Sequence, residues 1–135
     1  MENENPFDKF IVDENEPLDK NLVAEIVSQF TESIGKNKVI RYTEKFEKSP
    51  VWMKIAIYLC IRKIMFDQKI IEDEKVGPKE ISQDTGIVEG SAKDISRDKT
   101  LQKFVSKEGS KYYIKNYDLK KVKGIIFQNE TNTSK

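Results

Sequence analysis

Pro78–Ile95, PKEISQDTGIVEGSAKDI, decides the fold. It reads as two short helices about a tight turn. Pro78 opens the first, because the amide that proline lacks is unpaired in a helix's first turn anyway. Glu80, two residues on, sets a negative charge near the positive end of the helix dipole. Gly86 stands where the backbone can leave that helix through the left-handed region. A second helix starts at about Glu89–Ser91. Small or apolar residues fall at Ile81, Ser82, Ile87, Ala92 and Ile95. That spacing lets two helices cross steeply with a small residue at the crossing.

Upstream, Ser49-Pro50 is a helix start, a capping hydroxyl followed by proline in the first turn. The helix it opens, Val51 to about Asp67, is apolar on nearly every side. Trp52, Ile55, Ala56, Leu59 and Ile64 make one face, and Met53, Ile57, Cys60 and Ile61 widen it. Such a helix is buried from two directions. Lys54, Arg62 and Lys63 argue against placing it in a membrane, and no apolar run reaches the roughly 18–20 residues of a span. The connector DQKIIEDEKVG offers Ile70, Ile71 and Val76 as a short extended piece.

Downstream, the second helix is expected to continue to about Lys99. Leu101–Ser106 then reads as a strand with Leu101, Lys103 and Val105 on one face. Lys107–Ser110 reads as a turn with a positive φ at Gly109, and Lys111–Lys115 as the return strand. Asp118–Phe127 reads as a terminal helix using Leu119, Val122, Ile125 and Ile126, which Gly124 weakens.

The N-terminal part reads as more helix. Leu18, Leu22, Ile26, Phe30 and Ile34 recur every fourth residue, which predicts one amphipathic helix ended by Gly35. A second is expected over Asn37–Lys48, using Val39, Ile40, Tyr42 and Phe46. This gives an acidic flexible arm at 1–16, an N-terminal helical extension at 17–48, a main domain at 49–127 and a disordered tail at 128–135. The fold class expected is mostly α with a small antiparallel β-hairpin. The extension's apolar stripe needs cover, either from the main domain or from a second copy in a homodimer. Phe7, Phe10, Ile11 and Val12 of the arm either rest on the body or dock a protein partner. The arm's acids also stand as competitors for a basic surface.

Helix, helix-turn-helix and two-stranded hairpin, in that order, resemble the winged helix-turn-helix family over about residues 50–116. GPKEISQDTGI looks like the positioning helix and turn, EGSAKDISRDK like the recognition helix, and FVSKEGSKYYI like the wing. The residues before Ser49 match no family. The resemblance implies binding of double-stranded DNA, with the second helix in the major groove and the wing on the backbone. A transcriptional regulator is the role expected.

Charge distribution agrees with that expectation. The whole chain has a formal net charge of only +1. Residues 1–50 carry 7 basic and 11 acidic side chains, whereas residues 78–124 carry 11 basic and 7 acidic. The positive half coincides with the helix-turn-helix and hairpin, where a phosphate-binding surface belongs. At 100° per residue, Lys93 and Arg97 point away from the side defined by Ala92 and Ile95. Arg97 is the candidate for a base contact, since a guanidinium pairs bidentately with guanine. Lys93, Lys99, Lys107 and Lys111 are candidates for phosphate contacts. Gly90 leaves room for the helix start to approach a phosphate, with Ser91 and Ser96 beside it. Asp94 and Asp98 flank the same face, as partners for Arg97 and its neighbours or as repellers of phosphate. The blander reading of these cations is a solvated face, and Tyr112 and Tyr113 read as sheet packing.

Catalysis is not expected. The chain has no histidine, so neither a His-based triad nor a common His metal site can be built. Its one cysteine, Cys60, lies in the most apolar helix and reads as core. There is no phosphate-binding glycine loop, and Glu72, Asp73 and Glu74 read as a solvated run. No cofactor is expected. A lone cysteine suits a reducing cytoplasm, and with DNA as partner the expected location is nucleoid-associated. The competing function is a protein-interaction module in a larger assembly, since a fold does not fix a function.

Overall fold

The computed structural model describes residues 5–133 and is about half helical, with two small antiparallel hairpins. The chain is organised around α3 (Val51–Asp67), whose buried side chains face every direction. The expected bounds of this helix hold. Its N-cap is Pro50 rather than Ser49. The Ser49 hydroxyl instead donates 2.7 Å back to the Lys45 carbonyl, closing the preceding turn.

The expected pair of N-terminal helices is replaced by helix, hairpin and one short turn of helix. α1 (Lys20–Val27) is capped by Asp19, whose carboxylate accepts from the Leu22 amide at 3.1 Å. It stops at Val27. β1 (Thr31–Ile34) and β2 (Ile40–Tyr42) then pair antiparallel, with Ile34 opposite Ile40 and a bulge between Thr31 and Ser33. α2 (Glu44–Glu47) follows, capped by the Thr43 hydroxyl. Two things override the four-residue periodicity. Thr31, Ile34, Ile40 and Tyr42 are residue types that fit a pleated surface. The Gly35–Lys38 turn is closed by backbone bonds Lys38 N–H to Gly35 O at 2.9 Å and Gly35 N–H to Val39 O at 2.8 Å. Lys38 accepts a positive φ of 75° to make that turn. Tyr42 stacks on Phe46 with centroids 3.8 Å apart, and its hydroxyl donates 2.8 Å to the Asp84 carbonyl. That bond ties the N-terminal hairpin to the helix at Pro78–Thr85.

α4 (Pro78–Thr85) and α5 (Glu89–Lys93) are the two helices of the central stretch. Pro78 sits in the first turn of α4, and Gly86 ends it with φ 84°. Ile81, Ile87, Ala92 and Ile95 are all buried. The Ser82 hydroxyl donates 2.6 Å to the Ile87 carbonyl, pinning the turn from inside. The second helix is shorter than expected. α5 stops at Lys93, and the chain continues as a 3-10 turn, Ile95–Arg97.

A second 3-10 turn, Leu101–Lys103, stands where a strand was expected to begin. The Asp98 carboxylate caps it, accepting from the Thr100 and Leu101 amides at 2.9 Å each. Leu101 and Phe104 are buried three residues apart, which is the repeat of a 3-10 turn rather than of a strand. The hairpin is therefore displaced by a few residues. β3 (Val105–Glu108) pairs with β4 (Lys111–Ile114), so Lys107 and Glu108 belong to a strand. Gly109, with φ 63°, and Ser110 alone make the turn. Of the expected extended piece only Val76 pairs, exchanging backbone bonds of 3.0 and 2.7 Å with Tyr112, whereas the Ile70 and Ile71 amides bond back to the Met65 carbonyl at the end of α3.

α6 (Leu119–Thr133) buries Leu119, Val122 and Ile126 and packs beside α1. It runs past the expected end at Phe127, so the segment expected as a disordered tail is helical to Thr133. Residues 134–135 of that tail and 1–4 of the arm lie outside the described residues.

Two cations of α3 are buried and hold the connector. Arg62 donates to the carbonyls of Asp73 at 2.7 Å and Glu74 at 3.0 Å, and to Glu80 of α4 at 3.1 Å. Lys63 donates to Glu74 at 2.9 Å and to the Asn116 side chain at 2.8 Å. Tyr58 donates to the Asp84 carboxylate and accepts from Arg62 at 3.2 Å. Nothing in the sequence pattern marks these residues beyond their being two of the three cations in a largely apolar helix. Their effect is to fix α4 against α3.

Candidate nucleic-acid interface

The candidate residues lie on two elements, the α5 region and the hairpin. Gly90, Lys93, Ser96, Arg97 and Lys99 of the first are exposed, and Lys107 and Lys111 of the second likewise. Ser91 is half-buried, because it shares the inward turn of α5 with Ala92. A Cβ placed on Gly90 would meet nothing within 4 Å, so a backbone there is open to approach.

The two elements meet. Ile95 and Ser96 from one, Val105, Lys107 and Tyr112 from the other, and Gln102 between them line one cleft of about 140 Å³. Leu101 forms part of its apolar floor. Gln102 is a lining residue that sequence reading passes over. Its amide donates to the Ser96 carbonyl, which ties the turn after α5 to the start of the hairpin. A strand assignment for Leu101–Ser106 hides this; the Asp98 cap three residues before Leu101 is the local signal for it.

The cations divide by how they are held. Lys93 lies 3.8 Å from Glu89, Arg97 3.8 Å from Asp94, and Lys111 3.7 Å from Asp73. All six side chains are about half exposed or more. Long, exposed pairs of this kind contribute little and exchange partners readily. Lys99 and Lys107 have no ion-pair partner among the described residues. The Lys107 ammonium stands 5.6 Å over the Tyr112 ring, which props it outward. Lys75 is different. Glu108 accepts from it at 2.6 Å and raises the pKa of its ammonium. This pair braces the connector against β3 rather than offering a free charge.

The flanking acids also divide. Asp98 is committed to capping the 3-10 turn. Asp94 remains beside Arg97, and Glu89 beside Lys93, so the outward side of α5 and its continuation alternates in sign. The segment expected as one recognition helix to Lys99 is thus five residues of α-helix and a 3-10 turn. Arg97 keeps its exposure but leaves the helical register in which it was placed one turn from Lys93.

Among the described residues, none of the arm lines this cleft. Glu14 lines a separate hollow with Glu74, Tyr113, Lys115 and Tyr117, and Asn116 donates 2.9 Å to the Glu16 carbonyl. Neighbouring residues of a strand face opposite ways. Glu14 therefore lies on the Tyr113 side of β4, and the cleft opens on the Tyr112 side. Tyr112 is buried, in keeping with its reading as sheet packing.

No group of acidic or sulfur side chains among the described residues is arranged to hold a metal ion. Cys60 is fully buried, and burial pushes its thiol up to about 12. No described helix is long and apolar enough to cross a membrane. Set beside protein-family models, curated proteins and solved structures, the chain matches none.

Proposed function

We propose that this chain binds double-stranded DNA as a winged helix-turn-helix protein. On this reading α3, α4 and α5 are the three helices, β3 and β4 are the wing, and Val76 supplies the third short strand. The observation that carries it is the meeting of the cation-bearing α5 region and the hairpin at one cleft, with Lys107 in its lining. Lys93, Arg97 and Lys99 are exposed on the segment that brings Ser96 to the cleft, and Lys107 lines it from the hairpin, while Lys111 lies on the opposite, Tyr113 side of β4. Their nearby carboxylates are held loosely enough to be exchanged for phosphate. α5 approaches the major groove, with Arg97 reaching base edges, and the wing lysines contact backbone phosphates. Control of transcription is the role this mode of binding serves.

A second reading is favoured by one feature. Glu89 and Asp94 sit within 3.8 Å of the two cations meant for the groove. A surface of alternating sign suits a protein partner as well as a nucleic acid. Fluorescence anisotropy with a labelled mixed-sequence duplex separates the two. The DNA reading expects binding at low salt that weakens steeply as salt rises, because neutralised phosphates release counterions. Lys107→Ala should flatten the salt slope by about one unit. No binding at low salt refutes the DNA reading and leaves the protein-docking one.

A further inference from the structure

Residues 99–124 carry 8 basic and 2 acidic side chains, in a chain whose formal net charge is only +1. Both acids are engaged. Glu108 accepts from Lys75 at 2.6 Å, and the Asp118 carboxylate, its side chain 16% exposed, lies 3.7 Å from Lys121. Four of the cations gather where the turn Leu101–Lys103 meets the start of α6. There the Lys121 ammonium donates 3.1 Å to the Lys103 carbonyl, which seats the first turn of α6 against that segment. The backbone amide of Gln102 donates 2.9 Å to the Asp98 carbonyl, so Lys99 and Lys103 stand one helical turn apart. Lys99, Lys103, Lys120 and Lys121 are all exposed, and the first three have no ion-pair partner among the described residues. Asp98, just before them, has its carboxylate turned to the Thr100 and Leu101 amides.

The composition of the patch selects its partner. None of the exposed large apolar side chains among the described residues lies within 99–124. Lysine is depleted from protein–protein interfaces, whose centres are aromatic and apolar. A helix lying on a membrane presents an apolar face beside its cations. Ammonium groups without exposed apolar neighbours suit a polyanion, and a nucleic-acid backbone engages several of them at once. The patch also adjoins the Ser96–Lys107 cleft. Gln102, in the cleft lining, is followed directly by Lys103, and its side-chain amide holds the Ser96 carbonyl.

We infer that Lys99, Lys103, Lys120 and Lys121 form a second phosphate-contacting surface, which holds the backbone of duplex DNA where it runs on past the Ser96–Lys107 cleft. The inference rests on the DNA-binding reading of that cleft. These lysines position the duplex without reading its sequence, since phosphates carry none. The start of α6 thereby joins α5 and the wing in the interface.

Anisotropy of a labelled mixed-sequence duplex across a salt series tests it on the full chain. Lys103→Gln with Lys121→Gln should lower the slope of log affinity against log salt by about two units, one for each lost phosphate contact. Glutamine keeps a donor for the Lys103 carbonyl, so the seating of α6 survives. Lys36→Gln with Lys38→Gln removes the same charge from the β1–β2 turn and should leave the slope as in the wild type. All four lysines are exposed, so neither pair disturbs the core. A wild-type slope in the first pair, while Lys107→Ala still flattens it, overturns the inference and leaves the reading of the cleft standing. Equal losses in both pairs mean that net charge alone acts, and overturn it too. So does binding to anionic lipid vesicles that the first pair abolishes while its duplex slope stays unchanged. A wild type that binds no duplex at low salt removes the reading of the cleft, and this inference with it.

Discussion

Arg62 of α3 and Glu80 of α4 meet at 3.1 Å, with the guanidinium side chain 5% exposed and the carboxylate 52%. The pair is lopsided, and so are its consequences. Arg62 also serves the Asp73 and Glu74 carbonyls and the Tyr58 hydroxyl, none of which has an easy replacement. Arg62→Ala should lower the unfolding free energy by about 3 kcal/mol, through lost packing and orphaned acceptors. Glu80→Gln should cost less, since the amide oxygen of glutamine still accepts from the guanidinium. Urea denaturation of both variants measures the ratio. Equal losses would mean that the ion pair, and not the buried donors, holds α4.

Alkaline pH should destabilise the protein. Burial raises the phenol pKa of Tyr58 and of Tyr42, and the nearby Asp84 adds to both. The folded state thus keeps these protons when the unfolded state releases them near pH about 10. By linkage their contribution is whole below that pH and lost progressively above it. Urea midpoints should be level from neutral pH to about 9 and then fall. Tyr58→Phe with Tyr42→Phe should lessen the fall; an undiminished one would place its cause elsewhere.

Cys60 should be chemically silent in the folded protein. Its thiol is fully buried and pushed up to about 12 by desolvation, and only the thiolate is a nucleophile. An aromatic disulfide reagent at mildly alkaline pH should react only at the rate of unfolding, and urea should release one thiol. Prompt reaction without urea would contradict the packing of α3.

Thr31 is the exception in a well-satisfied interior. Its hydroxyl is buried without a hydrogen-bond partner among the described residues. Thr31→Val keeps the shape and removes the orphaned group, so it should stabilise by about 1 kcal/mol in thermal or urea unfolding. Destabilisation would show that the hydroxyl has a partner.

The central stretch was legible because its signals are local. Pro78, Gly86 and the buried Ile81, Ile87, Ala92 and Ile95 each follow from backbone geometry or periodicity. The apolar α3 and the Val76 bridge were legible for the same reason. The N-terminal hairpin was not, because Phe30 and Ile34 fit a four-residue repeat as well as an alternating one. Tyr42 decides between them by stacking on Phe46 and bonding Asp84, a partner 42 residues away. The end of the second helix was hidden likewise, since Asp98 reads as a charge on a face but acts as a cap. Among the candidate site residues, exposure of the cations was readable from their spacing to Ala92 and Ile95. The part played by Gln102, and the looseness of the acidic pairs, required the tertiary arrangement.

The most direct test of the account is to map a duplex onto the protein by amide chemical shifts. Titrating a short mixed-sequence duplex into isotopically labelled chain should move the amides of Ser91–Lys99 and Lys107–Lys111 together. Those of α1 and β1 should stay still. Unmoved amides, or shifts confined to the arm and α1, would contradict the assignment of the Ser96–Lys107 cleft as a DNA-binding face.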